Sequence, residues 1–271
     1  MYCLIFSRGL KILKKREKAM KYMGSKAKIA SEILPFIHSY IAMNNIDTYI
    51  EPFVGGANMI DKVQCTYKFG YDKNKYLIAL FKHIQEGGEL PEDVSREQYA
   101  DAKAHYRAKD DYYPDWYLAA VGFLAGFNGR FFDGDYAQPG YDKEAYRDYY
   151  QEAKRNILNQ MRLLGDTQFN SGDYKELNPS NALVYADPPY AGTKGYLSVT
   201  KEFNHKEFWD IMREWSKNNI VLISEETAPE DFDVLWEQEV TRTIKANDKS
   251  KATEKLFIHK SLNQNNIGFD F

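Results

Sequence analysis

The chain has 271 residues, of which 44% are hydrophobic and 28% are charged, a composition typical of a soluble globular protein with one large or two small domains. A formal net charge of −3 excludes a polycationic chain, so any nucleic-acid surface must be a local basic patch. Only two cysteines occur, without a CxxC spacing or a histidine cluster, so we expect neither a disulfide framework nor a metal site. No run approaches the ~20 apolar residues of a membrane span.

Residues 1–19 form an extension in which a short apolar start precedes a basic run. We expect this extension to be disordered or helical, with contact to DNA phosphates as one use. The organised chain begins at Met20 with a glycine-containing loop, in which Ser25 can cap the following helix. Lys26 lies near that helix start, where the helix dipole disfavours a cation. An anionic ligand and plain solvation both explain a lysine there.

The next segment predicts a strand, a glycine turn, a helix and a second strand, as in half of a Rossmann-like fold. Residues 48–50 predict the first strand, and the turn after it carries Gly55 and Gly56. Adjacent glycines let the backbone approach a ligand closely. The second strand covers residues 67–71 and is followed by Asp72, where such folds place the acid that binds ribose hydroxyls. An ordinary turn residue is the alternative for Asp72.

Residues 87–164 interrupt the α/β rhythm with a mainly helical segment that interleaves basic residues and aromatic rings. This composition indicates a nucleic-acid surface, although acidic residues dilute it and a solvated helical face remains the alternative for any single charge. At the centre of the segment lies a glycine-punctuated loop, residues 126–132, in which we expect exposed rings, including Phe131. Asn128 and Arg130 in this loop are residue types that read adenine and guanine bidentately.

The α/β pattern resumes at residue 167 and leads to a buried strand, residues 182–186, that is followed by Asp187, Pro188, Pro189 and Tyr190. The prolines stiffen the loop and remove two backbone donors. One carboxylate and one rigid carbonyl suit a group with two N–H donors, such as the amine of a base, and an aromatic ring can stack on that base. This geometry calls for a flipped-out base. A strand stopped by a Pro-Pro turn is the structural alternative.

The remaining chain predicts a helix over residues 206–217, whose apolar stripe belongs to the core, and a buried strand over residues 220–223 that ends in Ser224 and Glu225. Alternation in residues 241–245 and 254–259 predicts two late strands, paired as a hairpin with residues 247–250 in its loop.

Eight motifs, KYMGSK, EPFVGG, YDKN, FNGRFF, SGDY, ADPPY, LISEE and TEKLFIH, follow one another in the chain. In this order they resemble the Dam-type (D12 class) DNA adenine-N6 methyltransferases, particularly phage and prophage members. The resemblance covers Met20 to about Lys260 and is most specific in ADPPY together with EPFVGG. It implies an α/β fold with a Rossmann-like seven-stranded sheet that binds S-adenosylmethionine. Residues 20–86 and 165–271 would form the catalytic domain, and residues 87–164 an inserted helical target-recognition domain.

The resemblance also implies roles for individual residues. Asp187 and the Pro188 carbonyl, in a turn that Pro189 completes, would hold the target N6 amine while Tyr190 stacks on the flipped base. No metal is implied, because the sulfonium methyl is already activated. Cofactor contacts are implied for Tyr22, Lys26, Phe53, Gly55, Gly56, Asp72, Asp173, Tyr174 and Asp187. DNA contacts are expected from Asn128, Arg130 and Phe131. The chain departs from the family pattern at Ala57, where the glycine motif has its last glycine, and at Tyr22, where some members have tryptophan.

Several alternatives stay open at this point. The same fold could methylate cytosine N4, an RNA adenine or a glutamine amide, although Asp187 and the long insertion favour adenine in double-stranded DNA. The chain could also be a catalytically silent DNA-binding homologue. A nicotinamide-dependent enzyme is disfavoured, because the G-x-G-x-x-G fingerprint is absent.

The biological setting is inferred from the same resemblance. GATC is the usual target of such enzymes. We expect a cytoplasmic enzyme of a bacterial or phage-infected cell that modifies DNA or protects it from restriction, without a membrane partner. A monomer is expected, with a dimer as the alternative.

Overall fold

The computed structural model describes residues 19–22, 24–142, 145–189, 203–245 and 248–263. Its strands are β1 (Thr48–Glu51), β2 (Tyr67–Asp72), β3 (Gly140–Asp142), β4 (Ala145–Arg147), β5 (Gln168–Ser171), β6 (Leu183–Ala186), β7 (Ile220–Glu225), β8 (Phe232–Lys245) and β9 (Asp248–His259). Its α-helices are α1 (Ala30–Met43), α2 (Lys75–Gln85), α3 (Arg96–Ala108), α4 (Asp115–Ala119), α5 (Tyr149–Leu164), α6 (His205–Trp215) and α7 (Lys260–Asn263).

Seven strands form one sheet in the order β5-β2-β1-β6-β7-β9-β8, which confirms the predicted seven-stranded α/β architecture. The first five strands of this order are parallel, and β9 runs antiparallel to both β7 and β8. Strand β6 lies in the middle and is buried at all four positions, which explains why its sequence is a continuous apolar run. The carboxyl ends of the parallel strands therefore meet at one edge of the sheet.

The prediction of a helix after the glycine turn is wrong. Between β1 and β2 the chain makes a series of tight turns, with Ala57 donating to the Val54 carbonyl and Lys62 donating to the Met59 carbonyl. Ala57 has a φ of 55°, a left-handed conformation that cannot continue into a right-handed helix. The glycine turn therefore has no helix N-terminus behind it, and its ligand contacts must come from individual groups.

The first helix begins later than predicted. Ser25 is a cap, as expected, but the backbone N–H that it accepts from is that of Ala27, in a single 3-10 turn that covers residues 26–28. Helix α1 starts at Ala30 and buries Ile33, Phe36 and Ile37 against the sheet.

The inserted segment shares its core with the catalytic sheet. Side chains from α3, α4 and α5, such as Tyr99, Leu118 and Ile157, belong to the same buried hydrophobic cluster as Leu77 and Phe81 of α2. A five-residue π-helical turn, residues 120–124, extends α4 through this cluster and is fully buried. The insertion is consequently fixed to the sheet by apolar packing rather than attached through a linker.

The late hairpin is confirmed, with longer strands than predicted. β8 and β9 pair from Phe232↔His259 to Lys245↔Asp248, so that residues 248–250, expected in the loop, belong to β9. None of the described helices combines the length and the apolar character that crossing a bilayer requires.

Two neighbouring leucines in the last turn of α5 provide a test of the shared core. Leu164 is completely buried, whereas Leu163 is 52% exposed. Leu164→Ala should lower the free energy of unfolding by about 3 kcal/mol, because it leaves a cavity beneath the helix. Leu163→Ala should change it by no more than about 0.5 kcal/mol. Urea unfolding of both variants measures this difference, and equal losses would contradict the packing described.

Candidate active site

Parallel strands bring the predicted motifs to one edge of the sheet. β1 ends at Glu51 before the glycine turn, β2 ends at Asp72, β6 ends before Asp187, and β7 ends at Glu225. β1 lies between β2 and β6, and β7 lies on the other side of β6. Residues that are far apart in the sequence therefore surround one region, as expected for open α/β sheets.

The glycine turn is held against β2 by two hydrogen bonds. The Val54 N–H donates to the Tyr71 carbonyl at 2.8 Å, and the Gly55 N–H donates to Asp72 Oδ2 at 3.0 Å. Gly55 has a φ of 47°, and a Cβ at this position would come within 2.9 Å of the Tyr22 ring. The backbone conformation favours glycine there, and the close approach of Tyr22 leaves no room for a Cβ. Ala57 adopts a similar left-handed conformation, so the turn keeps its shape without the family's last glycine, at a cost of about 1 to 2 kcal/mol.

Asp72 organises this turn from the end of β2. Its Oδ1 accepts from the Asn74 N–H at 2.8 Å, and Asn74 in turn caps α2. Burial raises the pKa of Asp72, and the hydrogen bonds from Asn74 and Gly55 oppose that rise. A carboxylate has about four acceptor positions, so this arrangement leaves capacity for a ligand hydroxyl. Contact with a ribose remains a prediction.

A packed aromatic cluster adjoins the turn. Phe53 and Tyr174 lie with ring centroids 4.9 Å apart, and Phe203 lies 6.0 Å from Phe53. The Tyr174 hydroxyl is buried without a hydrogen-bond partner among the described residues. Asp173 is the N-cap of the 3-10 turn that begins at Tyr174, and it forms an ion pair with Lys73 at 3.3 Å. Phe53, Asp173 and Tyr174, predicted to contact the cofactor, are therefore brought together.

Lys26 is buried, with 6% exposure, and its ammonium forms an ion pair with Asp187, the carboxylate that the sequence predicts to be catalytic. Its Nζ is 2.8 Å from Asp187 Oδ1 and 3.6 Å from Glu254 Oε2. The solvation reading is therefore wrong: two carboxylates of the same chain stabilise this ammonium and offset the unfavourable helix dipole. Lys26 joins the first loop to the strand end that carries Asp187, and its contact with the cofactor remains a prediction.

The turn after β6 contains Pro188, which is buried, and Pro189, which is half-buried. Tyr190 lies outside the described residues, so its predicted stacking role stays a prediction. Behind the turn, the Tyr185 hydroxyl and Ser224 Oγ form a buried hydrogen bond of 2.7 Å between β6 and β7. This bond fixes the two strand ends next to each other.

Buried acids that the sequence did not single out surround Asp187. Glu51 accepts a 2.7 Å hydrogen bond from the Tyr49 hydroxyl, and burial raises its pKa well above the usual range. Glu225 is 3% exposed, and burial, with a further contribution from the charge of Asp187, raises its pKa to about 7. Among the described residues, no group of three or more potential ligands is arranged to hold a metal ion.

Gln160 was also missed, because a glutamine on a helix with a mixed face carries no sequence signal. Its amide donates to the carbonyl oxygens of Gly56, at 2.9 Å, and Ala57, at 3.0 Å, and its oxygen accepts from the Met20 N–H at 3.0 Å. The same amide lies 3.2 Å from Asp61 Oδ2. One buried side chain of the insertion thus holds both the glycine turn and the start of the first loop.

The loop at residues 126–132 divides into exposed and buried parts. Asn128 and Arg130 are exposed, and Phe127 is 55% exposed. The exposure expected of Phe131 is wrong: this ring is 5% exposed, because it packs 5.1 Å from Tyr76 and 4.8 Å from Phe123. Phe131 therefore supports the loop from beneath, and Phe127 is the ring that the loop displays.

A groove of about 570 Å³ adjoins this loop. Its basic lining residues are Lys103, Arg107 and Arg130, and Phe127 lies beside them. Asp133 and Asp135 also line it, so the groove carries charges of both signs. Its cations and exposed ring match the composition expected of a local nucleic-acid patch, and DNA contact there remains a prediction.

Comparison with known proteins agrees with this geometry. Residues 22–251 match the model of the D12 class N6 adenine-specific DNA methyltransferases. The chain belongs to this family. The match covers the glycine turn, the insertion, the Asp187 strand and most of the late hairpin, so the methyltransferase is adenine-specific and acts on DNA, and its family implies S-adenosylmethionine as methyl donor.

Individual relatives are distant. The enzyme is 26% identical to the type II methyltransferase M.MjaIII of Methanocaldococcus jannaschii over 214 residues, which are 68% of this chain and 74% of that protein. It is 22% identical to the modification methylase StsI of Streptococcus sanguinis over 197 residues, 65% of this chain but 29% of that protein. Among solved structures, a proposed RNA methyltransferase of Pyrococcus horikoshii aligns with a TM-score of 0.41 and 11% identity, covering 85% of this chain and 82% of that one.

The role of Gln160 in the glycine turn can be tested by a pair of variants on α5. Gln160→Ala removes the donor from two buried carbonyl oxygens, which should cost about 2 kcal/mol of stability. It should also weaken S-adenosylmethionine binding about ten-fold, equivalent to 1.4 kcal/mol, because the turn loses its fixed position. Calorimetric titration with the cofactor and urea unfolding measure both effects.

Asn159→Ala, at the neighbouring half-buried position, is the matched control and should bind the cofactor like the unchanged enzyme. Cofactor binding by Gln160→Ala equal to that of Asn159→Ala would contradict a positioning role.

Proposed function

We propose that the enzyme transfers a methyl group from S-adenosylmethionine to N6 of an adenine that is flipped out of double-stranded DNA, and that Asp187 with the Pro188 carbonyl holds this amine. The observation that carries the proposal is the position of Asp187 at the end of the central strand β6, beside the buried ammonium of Lys26 at 2.8 Å. A carboxylate has about four acceptor positions, and the Lys26 contact fixes the direction in which those of Asp187 point.

Asp187 and Pro188 act on the amine by accepting its two N–H groups. The ion pair with Lys26 fixes the orientation of Asp187. Proline has no N–H, so Pro188 can only accept from a bound base. Hydrogen bonds in these two directions favour a pyramidal amine over a planar one and expose its lone pair. Positioning and prearranged charge are the two catalytic contributions that this arrangement makes.

The residues near the glycine turn fit a nucleoside-containing methyl donor. Asp72 retains acceptor capacity at the turn, Phe53 and Tyr174 offer apolar ring surface, and the Tyr174 hydroxyl has no partner among the described residues. When bound, S-adenosylmethionine supplies a methyl group already activated by a sulfonium centre, so no metal ion is needed for the transfer. Tyr22, Lys26 and Asp173 are the further contacts proposed for it.

The insertion is proposed to bind the duplex through Asn128, Arg130 and the basic lining of the adjoining groove. Exposed rings accompany these groups: Phe127 at 55%, Tyr112 at 67%, and Tyr141 and Tyr146 of the β3–β4 hairpin at 79% and 62%. Cations interleaved with exposed rings suit contact with the DNA backbone and base stacking.

The names of the two relatives support a role in DNA modification or protection from restriction. GATC-like sequences are the first targets to test. The enzyme is proposed to act as a monomer in the cytoplasm.

The reaction can be identified directly by its product. The full chain would be incubated with labelled S-adenosylmethionine and unmethylated double-stranded DNA, and the DNA digested to nucleosides for mass spectrometry. N6-methyladenine is expected, and sequencing the modified sites would give the recognition sequence. N4-methylcytosine, or a product on RNA alone, would contradict the proposed acceptor.

Asp187→Ala should lower the rate of methyl transfer by at least about 1,000-fold, because the amine loses both its acceptor and its position. The exposed Asp166→Ala is the control for removing an acid from this domain and should keep the unchanged rate. Quenched single-turnover assays measure the rates, and circular dichroism checks the fold. A near-normal rate of methyl transfer by Asp187→Ala would contradict the proposal that Asp187 holds the target amine.

A further inference from the structure

Glu225 lies beside the proposed position of the target amine. β6 and β7 are parallel with Ala186 opposite Ile223, so Pro188 and Glu225 each lie two residues beyond the last paired position, and the charge of Asp187 acts on Glu225. The buried bond between Tyr185 and Ser224 holds the two strand ends in this relation. Glu225 therefore emerges at the same edge of the sheet as the turn that carries Asp187.

The two carboxylate oxygens of Glu225 have different surroundings. Oε2 accepts from the Glu226 N–H at 2.9 Å. Oε1 is buried, and no hydrogen bond to it is found within the described ranges; His205 Nδ1 is 3.7 Å away. A buried carboxylate oxygen without a hydrogen bond is costly, which marks it as a position where a ligand or a proton belongs.

Charged and titratable groups from several elements surround this carboxylate. Asp187 and Lys26 lie on the β6 side, His205 is the first residue of α6, and Lys255 is opposite Glu225 on β9. Glu226 follows it in the chain, and Glu254 approaches Lys26. Lys26 is paired with Asp187 and near Glu254, and Lys255 is paired with Glu237, so neither lysine forms an ion pair with Glu225.

Methylation of an amine must release a proton. The N6 lone pair forms the bond to the methyl carbon while the carbon–sulfur bond breaks with its electrons on sulfur. The nitrogen then carries a positive charge until one N–H bond breaks and its electron pair returns to nitrogen. Asp187 is poorly suited to take this proton, because one of its oxygens is held by the Lys26 ammonium at 2.8 Å.

We propose that Glu225 accepts the proton that N6 releases, through its unpartnered Oε1, and that this proton comes from the N–H that faces the Pro188 carbonyl before methyl transfer. The inference rests on the proposed placement of the amine at Asp187 and Pro188. Protonation converts a buried charge into a neutral carboxyl group, which relieves both desolvation and repulsion from Asp187. His205, whose side chain is 32% exposed and whose Nδ1 is 3.7 Å from Oε1, is the group proposed to pass the proton on to solvent.

The direction of the pH dependence follows from burial. The pKa of Glu225 is raised to about 7, so the ionised form that can accept a proton disappears as the pH falls below that value. The rate of transfer should therefore rise with pH up to about 7 and level off above it.

The test measures single-turnover methyl transfer between pH 5.5 and 8.5, with saturating labelled S-adenosylmethionine and unmethylated duplex DNA. Glu225→Gln should lose about 100-fold at pH 8, a typical effect of removing a general base, and its residual rate should no longer depend on pH near 7. Glu230→Gln, an exposed acid in the loop after β7, should keep the unchanged rate and profile. Titration calorimetry should show unchanged cofactor affinity in Glu225→Gln, which separates proton transfer from a structural role.

A wild-type rate in Glu225→Gln, or a slow rate that keeps the same pH step, would overturn the proposal. If Glu225→Gln fails to fold, Glu225→Asp replaces it; the shorter acid should be slower yet keep a pH step, and a flat profile would overturn the proposal equally. The two inferences fail differently: normal turnover in Asp187→Ala removes the proposed function, whereas an unchanged profile in Glu225→Gln removes only the proton acceptor.

Discussion

An ammonium group with 6% exposure requires compensating charge, and Lys26 obtains it from Asp187 at 2.8 Å and Glu254 at 3.6 Å. Removing either side of such a buried pair leaves an uncompensated charge at a cost of about 3 to 5 kcal/mol. These three side chains therefore connect three parts of the chain: the first loop, the end of β6 and the late strand β9. The contact between Lys26 and Asp187 also fixes the carboxylate proposed to hold the target amine.

A second constraint links the insertion to the glycine turn. Gln160 on α5 bonds to the backbone of Gly56 and Ala57 and to the Met20 N–H, while Gly129 packs so closely on Lys21 that a Cβ would collide with that residue's carbonyl oxygen. The proposed DNA-binding loop and the proposed cofactor turn thus touch the same short N-terminal segment. The loop, the turn and the N-terminal segment pack on one apolar core, so a displacement of the loop would alter the packing beneath the turn.

The electrostatic character of the site follows from burial more than from composition. Asp187, Glu225 and Glu254 lie near one buried lysine, in a chain whose formal net charge is only −3. Burial raises the pKa of Glu51. Asp187 and Glu254 lie 2.8 and 3.6 Å from the Lys26 ammonium, and Glu225 Oε1 has no hydrogen bond among the described residues. These different surroundings support the proposal that one acid holds the amine and another receives its proton.

The sequence by itself determined the features that local patterns encode. The apolar run of β6, the acid and prolines after it, the Ser25 cap and the apolar face of α1 are each specified within a few neighbouring residues, and the ordered motifs indicated the family and the seven-stranded sheet. Tertiary structure alone decided the partners of Lys26 and Gln160, the burial of Phe131 and Glu225, and the absence of a helix after the glycine turn. Gln160 and Gly56 are 104 residues apart, and no local periodicity specifies such a contact, because it arises only when the folded sheet and its insertion bring distant segments together.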